Sequence, residues 1–277
     1  MKKIHILISA FSLTINMVYA QPTPGLNTES FQISEYTASA RKEESKKYFP
    51  VARKNAVQIY SSPMGNEGVW KIKRTRDFNI TGDGSADNWN NAEWLKLPRR
   101  SGTGVAYETQ VKLLYSDSGI YCHYRCEDHK ITATMQEDFL DLWNEDVIEV
   151  FFWTDEAVPL YFEYELSPLN FELPLLVPNI NERFIGWLPW HYEGSRRTKH
   201  VTRTNKNGNK VTSWTAEFFI PYSLLTPMTN IPPEKGTRWR ANFYRIDYDQ
   251  GETTWQWQMV RGEKFHDYER FGTIVFE

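Results

Sequence analysis

Trp143-Asn144-Glu145-Asp146-Val147-Ile148-Glu149-Val150-Phe151-Phe152-Trp153 is the stretch on which the reading of this chain turns. From Val147 onward β-branched and aromatic residues dominate, with neither Gly nor Pro among them, which predicts a strand. Side chains two apart share a face, so Ile148, Val150 and Phe152 form one side and Val147, Glu149, Phe151 and Trp153 the other. Both sides are mostly apolar and therefore covered. A carboxylate there needs a partner, because an unpaired buried charge costs several kcal/mol or neutralises by a pKa shift. For Glu149 that partner is either an Arg or Lys elsewhere in the fold or the hydroxyl of a ligand. Trp143, just ahead of the strand, fits either a core lid or an exposed stacking platform.

Other strands follow the same logic. Trp70–Lys73 reads as an edge strand. Ala106–Tyr115 and Gly119–Cys126 flank the turn signal Ser116-Asp117-Ser118-Gly119. In Leu160–Leu166, Tyr161, Glu163, Glu165 and then Ser167 alternate with Phe162, Tyr164 and Leu166, giving a half-buried strand with an acidic, wet face. Val211–Ile220 is stopped by Pro221, Arg238–Asp249 pairs with Thr253–Val260 across Gln250-Gly251, and Phe271–Phe276 closes the chain. About ten short strands with little helix predict an all-β antiparallel β-sandwich with jelly-roll or immunoglobulin-like layers. Asn179–Trp190 reads as a long irregular insertion that either overhangs a binding face or docks a partner.

Upstream, Lys2 and Lys3 precede a short apolar run that ends near Val18 and Ala20, the pattern of a signal peptide over residues 1–20. Residues 21–66 form an extension with a Pro-rich tether and the charge run 40–47, leaving 67–277 as the sandwich domain. The chain is expected to be exported, to a periplasm or beyond the cell. No later segment approaches the ~18 apolar residues of a membrane span. Net charge is −3 over 277 residues, without the basic stripe that nucleic-acid binding needs. Cys122 and Cys126 fall on one face of a strand with Cα atoms ~13 Å apart, too far for a bridge, and are expected to be buried and reduced. Asp83 and Asp87, in the loop 78–89, are the candidate ligands for a structural calcium, although the loop lacks the spacing of an EF-hand.

Taken in order, Ile80, Gly82 and Trp89, a strand closing in Asp128, Trp143 with Glu145-Asp146 and Glu149, Trp214 with Glu217 and Ile220-Pro221, Gly236 with Asn242-Phe243, and Phe271-Gly272 resemble the family 9 carbohydrate-binding modules and their DOMON-like relatives. The resemblance runs from about Phe78 to the C-terminus. It implies a sugar ring held between two tryptophans, with carboxylates and amides on its hydroxyls. Trp143 matches the first tryptophan, six residues before Glu149, and Trp257 the second, with Trp255 as its alternative. Asp128, Glu149, Glu165 and Ser167 are the implied polar contacts. The last two stand where the family commonly has Arg and Asn, which puts the identity of the sugar in doubt. The implied function is non-catalytic binding of a glycan chain end or oligosaccharide in support of polysaccharide breakdown, beside separately encoded glycoside hydrolases.

Two other functions compete. A glycosidase would draw two carboxylates from Asp128, Glu149, Glu163 and Glu165, yet no residue stands in a pattern that assigns it a catalytic role. A haem-binding electron-transfer domain would need an axial pair from His123, His129, His191, His200 and His266 with Met135, Met228 or Met259, and no spacing singles out a pair.

Overall fold

The computed structural model describes residues 68–180, 183–184, 186–261 and 265–277. The predicted signal peptide, and the extension with its charge run, lie outside the described residues. Among the described residues fifteen strands are linked by pairing, eleven of them in one path and the other four attached beside it. They are β1 (Val69–Arg74), β2 (Leu95–Lys96), β3 (Arg99–Ser101), β4 (Thr109–Tyr115), β5 (Gly119–Glu127), β6 (Val147–Trp153), β7 (Leu160–Leu166), β8 (Glu172–Ile180), β9 (Arg183–Phe184), β10 (Leu188–Pro189), β11 (Lys199–Asn207), β12 (Lys210–Pro221), β13 (Arg238–Asp247), β14 (Thr253–Gln256) and β15 (Gly272–Phe276). One short helix, α1 (Tyr222–Leu225), follows β12.

The strands form the two layers of the expected sandwich. One runs β10-β8-β7-β6-β13-β15-β1 and the other β1-β4-β5-β12-β11. β1 belongs to both: Val69–Ile72 pair in parallel with Thr273–Phe276, and Lys73–Arg74 pair in parallel with Leu114–Tyr115. The expected edge strand is therefore a corner shared by both sheets. Its exposed side chains imitate an edge, because five of its six residues lie outside the core while its backbone is paired on both sides.

Period-2 alternation sorts the side chains as predicted for β6. Ile148, Val150 and Phe152 enter the core between the layers, where they join Phe162, Tyr164 and Phe243 of the first sheet and Cys122, Tyr124, Trp214 and Phe218 of the second. Both cysteines are free and buried there. Val147, Phe151 and Trp153 point the other way. With Tyr161, Leu173, Leu175, Val177, Tyr244 and Ile246 they build a second apolar layer on the outer face of the first sheet. The sequence reading missed β8 and β11, together with the two- and three-residue strands β2, β3, β9 and β10. β8 carries Pro174 and Pro178, which argue against a central strand, and is tolerated because beyond β7 it pairs only with the two-residue strands β9 and β10, at Asn179–Ile180 and Leu175–Leu176. The insertion 179–190 is less irregular than expected, since it contains β9 and β10.

Candidate functional site

On the outer face of the first sheet the strand registers align side chains into rows. One row reads Leu173, Glu165, Glu149, Tyr244, Gln256 across β8, β7, β6, β13 and β14. The next reads Leu175, Glu163, Phe151, Asn242. Glu165 and Glu149 are thus directly opposed, and Glu163 is two residues from Glu165 on the same face. The acidic face of β7 was expected to be wet. It is buried instead, with Glu149, Glu163 and Glu165 only 3%, 4% and 1% exposed. Loop side chains crossing the sheet, among them Trp143, Phe139 and Phe265, cover it.

Directly opposed like charges destabilise a sheet, and among the described residues no Lys or Arg forms an ion pair with these acids. Both carboxylate oxygens of Glu165, and Oε2 of Glu163, lack any hydrogen-bond donor, as does Oε1 of Gln256 in the same row. His266 Nδ1 lies 3.9 Å from Glu163 but bonds the Tyr161 hydroxyl at 2.6 Å. Burial raises the pKa of all three carboxyls. Glu163 rises to about 8, while Glu149 is pushed well up by burial and then by Glu163, and Glu165 by burial and then by both neighbours. The Glu163 and Glu165 carboxyls interact directly, which adds to the rise at Glu165.

Other buried acids among the described residues are fully served, which makes Glu163 and Glu165 exceptional. Glu217 accepts the amides of Thr81 and Gly82 and the Trp89 indole N–H, the last at 2.6 Å. Glu172 accepts hydroxyls of Tyr164, Tyr192 and Thr198 and lies 3.3 Å from His200.

Trp143 stands half-buried at the rim of the acidic face. Its ring meets Trp187 edge-on, with centroids 5.0 Å apart at 75°. Trp187, on the 179–190 insertion, is 43% exposed. The acids beside Trp143 hold its loop: Glu145 accepts the Thr134 and Met135 amides, Asp146 accepts those of Thr132 and Tyr248, and the Tyr248 hydroxyl donates to the Trp143 carbonyl at 2.8 Å. Across the face Phe265 stacks on Tyr244 at 4.1 Å, and the Arg100 guanidinium lies over the Phe265 ring.

The structure does not bring the other expected residues to this face. Trp257 packs on the core side of the sheet against Trp70 and Phe243, so it does not oppose Trp143. Trp255 is a core residue, 1% exposed, whose indole donates to the Tyr107 carbonyl. Asp128 is buried with Arg245 at 3.1 Å and accepts the Lys130 amide. Ser167 closes the β7–β8 turn, its hydroxyl accepting the Phe171 amide. Alternation had already put Glu163 on the face. Trp187, Phe265, Tyr244 and Gln256 carried no local sequence signal.

The calcium expectation also meets its residues differently. Asp83 accepts the Thr81 hydroxyl and the Ser85 amide, which hold its pKa down at about 2, and Asp87 is an exposed residue of a short 3-10 turn. Among the described residues the carboxylates that converge are Asp128, Asp146 and Asp247, with oxygens within 4.8 Å of one another. Arg245 already sits on two of them, at 3.1 and 2.7 Å, so a metal would have to displace a guanidinium. The donor set does not fit a cation while Arg245 is there.

An all-β sandwich with an aromatic rim over unsatisfied acceptors defines a binding domain. The chain belongs to the carbohydrate family 9 binding domain-like family, whose model matches residues 80–277. Similar solved structures include a protein from Bacteroides uniformis ATCC 8492 described provisionally as carbohydrate-binding, with TM-score 0.64 and 18% identity over 76% of this chain and 100% of that one. A family 9 carbohydrate-binding module from Caldicellulosiruptor kristjanssonii, in complex with glucose, aligns with TM-score 0.54 and 16% identity over 75% of this chain and 96% of that one. The same module with cellotriose aligns equally well over 94% of its length. Among curated proteins none matches the chain by sequence.

Proposed function

We propose that the chain is an exported, non-catalytic glycan-binding protein whose site is the outer face carrying Glu149, Glu163 and Glu165 under the Trp143–Trp187 rim. One observation carries the reading: Glu165 is 1% exposed and neither of its oxygens meets a donor, whereas Glu172 and Glu217 are surrounded by donors. A glycan supplies what the face lacks, hydroxyl donors at its rim and an apolar C–H surface for the indoles. The family membership and the sugar complexes of its relative support that choice of ligand. Trp143 keeps the position the resemblance gave it, and Trp187 replaces Trp257 as the second ring.

Access requires the Trp143–Trp187 contact to part. An aromatic pair of this kind is worth about 0.5–1.5 kcal/mol beyond its buried area, a cost that ligand stacking returns. A disaccharide of ~23 heavy atoms at ~0.3 kcal/mol each gives about −7 kcal/mol, or roughly 10 μM, suited to holding a polysaccharide for separately encoded glycoside hydrolases.

A glycan array followed by titration calorimetry tests this. Trp143→Ala and Trp187→Ala should each weaken the captured glycan about tenfold or more, since truncating one indole forfeits ~1.5–3 kcal/mol of apolar contact. Full affinity in both variants would refute the site. Release of reducing ends from that glycan by the purified protein would refute the non-catalytic reading.

A further inference from the structure

The acceptors on the outer face can also be counted against the donors. Apart from the contact of the Glu163 and Glu165 carboxyls with each other, four buried oxygens there have no donor among the described residues: Glu163 Oε2, Glu165 Oε1 and Oε2, and Gln256 Oε1. The one orphan donor on the same face, Asn179 Nδ2, lies six residues along β8 from Leu173, the residue opposite Glu165, which at ~3.3 Å per residue is roughly 20 Å away. A hydroxyl brings one donor together with two lone pairs, so every neutral hydroxyl placed among carboxylates adds acceptors to a site already full of them. An ammonium group brings three donors, no acceptor and a positive charge.

We propose that this face selects an amine-bearing glycan, an amino sugar whose ammonium group sits among Glu149, Glu163 and Glu165. The proposal rests on the glycan-binding reading above and names the ligand class. Gln256 supports it independently of the acids. Fully buried in the Glu165–Glu149–Tyr244 row, it donates through Nε2 to Met259 Sδ and leaves its carbonyl oxygen as a further acceptor about two strand spacings from Glu149, within the span of a second sugar ring. Trp143 adds an indole at the rim, and a cation over an indole face is favoured by ~0.5–2 kcal/mol. A bare metal ion fits less well, because the carboxylates that converge within 4.8 Å among the described residues are the Asp128 group and not these.

Among the described residues the charged and titratable groups facing the three acids are Asp141, His266, Tyr161, Tyr244 and Tyr248, with Tyr124 from the core side and Arg100 over the Phe265 ring. Burial raises all three carboxyls, Glu163 to about 8, so an ammonium that pairs with Glu163 displaces its proton. Binding should therefore release protons to the buffer, and affinity should rise from pH 5 toward neutrality, then fall as the ligand amine itself deprotonates.

The experiment titrates the full chain with oligomers of glucosamine, N-acetylglucosamine and glucose of equal length, in two buffers of different ionisation enthalpy. Expected is at least a tenfold preference for the glucosamine oligomer, proton release with that ligand alone, and loss of the preference in Glu163→Gln and Glu165→Gln. Near-UV circular dichroism checks that those variants fold, and Glu149→Gln serves where either does not. Equal binding of the glucose oligomer would overturn the amine proposal and leave glycan binding standing. Binding of none of the three, with nothing captured on a glycan array, would overturn both. Competition by calcium or magnesium alone at micromolar concentration would overturn it in favour of a metal site.

Discussion

Replacing Glu163 by Gln should flatten the dependence of folding stability on pH. In the folded protein burial raises the Glu163 carboxyl from 4.5 to about 8. A raised folded pKa means the folded state holds its proton more tightly than the unfolded chain. The contribution is therefore complete below about 4.5 and is lost as pH rises toward 8. At about 1.4 kcal/mol per pKa unit, that loss is on the order of 5 kcal/mol, with a slope of at most about 1.4 kcal/mol per pH unit. Asp128 and Asp146, raised to about 7 mainly by burial, add slopes of the same sign. His123, lowered by burial, adds one of opposite sign that acts as pH falls below its ordinary value. The informative quantity is thus the difference between wild type and Glu163→Gln, measured by urea unfolding from pH 5 to 8.5. Gln resembles the protonated acid, so the two should be close at pH 5 and the variant several kcal/mol more stable at pH 8.5. Its removal also takes a negative neighbour from Glu149 and Glu165, which works in the same direction. Parallel curves would refute the claim that the face holds buried, unpaired acids.

Trp255→Ala, which empties a core position, should cost about 3–5 kcal/mol, while Trp143→Ala at the rim should cost half of that or less; equal losses in denaturant titrations would count against the division into core and site. Arg245→Met leaves the buried Asp128 and Asp247 without their guanidinium and should cost about 3–5 kcal/mol, less at pH 5 than at pH 8 because the acids can then take up protons. A loss independent of pH would contradict that account. Adding a chelator should leave the thermal midpoint within about 1 °C, since Arg245 already offsets the Asp128–Asp146–Asp247 charge and Asp83 is held by its own turn; a clear drop would reveal a metal bound only to the folded state.

The strands were legible because alternation is a local property. β6 and β7 begin and end where their patterns predict, and the same alternation groups Glu149 with Phe151 and Trp153 and Glu163 with Glu165. Two prolines hid β8, and the exposed side chains of β1 disguised a strand that is paired on both sides. Period-2 alternation states which residues share a face and is silent about what covers it. The acidic face of β7 is dry because the segment around Trp143, Phe139 and Phe265 crosses it, and that crossing is set by contacts between residues far apart in sequence. Glu145 and Asp146 illustrate the difficulty. In the sequence they belong to a sugar-binding resemblance, whereas in the fold they clamp loop amides and so determine where Trp143 stands. Glu217 likewise clamps the Thr81–Gly82 turn and Trp89. A motif acid and a ligand acid look alike in one dimension. They part only when donors are counted around each oxygen, and that count separates Glu165, which meets none, from Glu217, which meets several. The tryptophans divide on the same principle: an offset from Phe271-Gly272 selects Trp257 in the sequence, but Trp257 packs on the core side against Phe243, while Trp187, with no motif around it, meets Trp143 above the acids. The proposed binding face is therefore one set by the loops that cross it, with its chemistry set by the acids those loops leave without a donor.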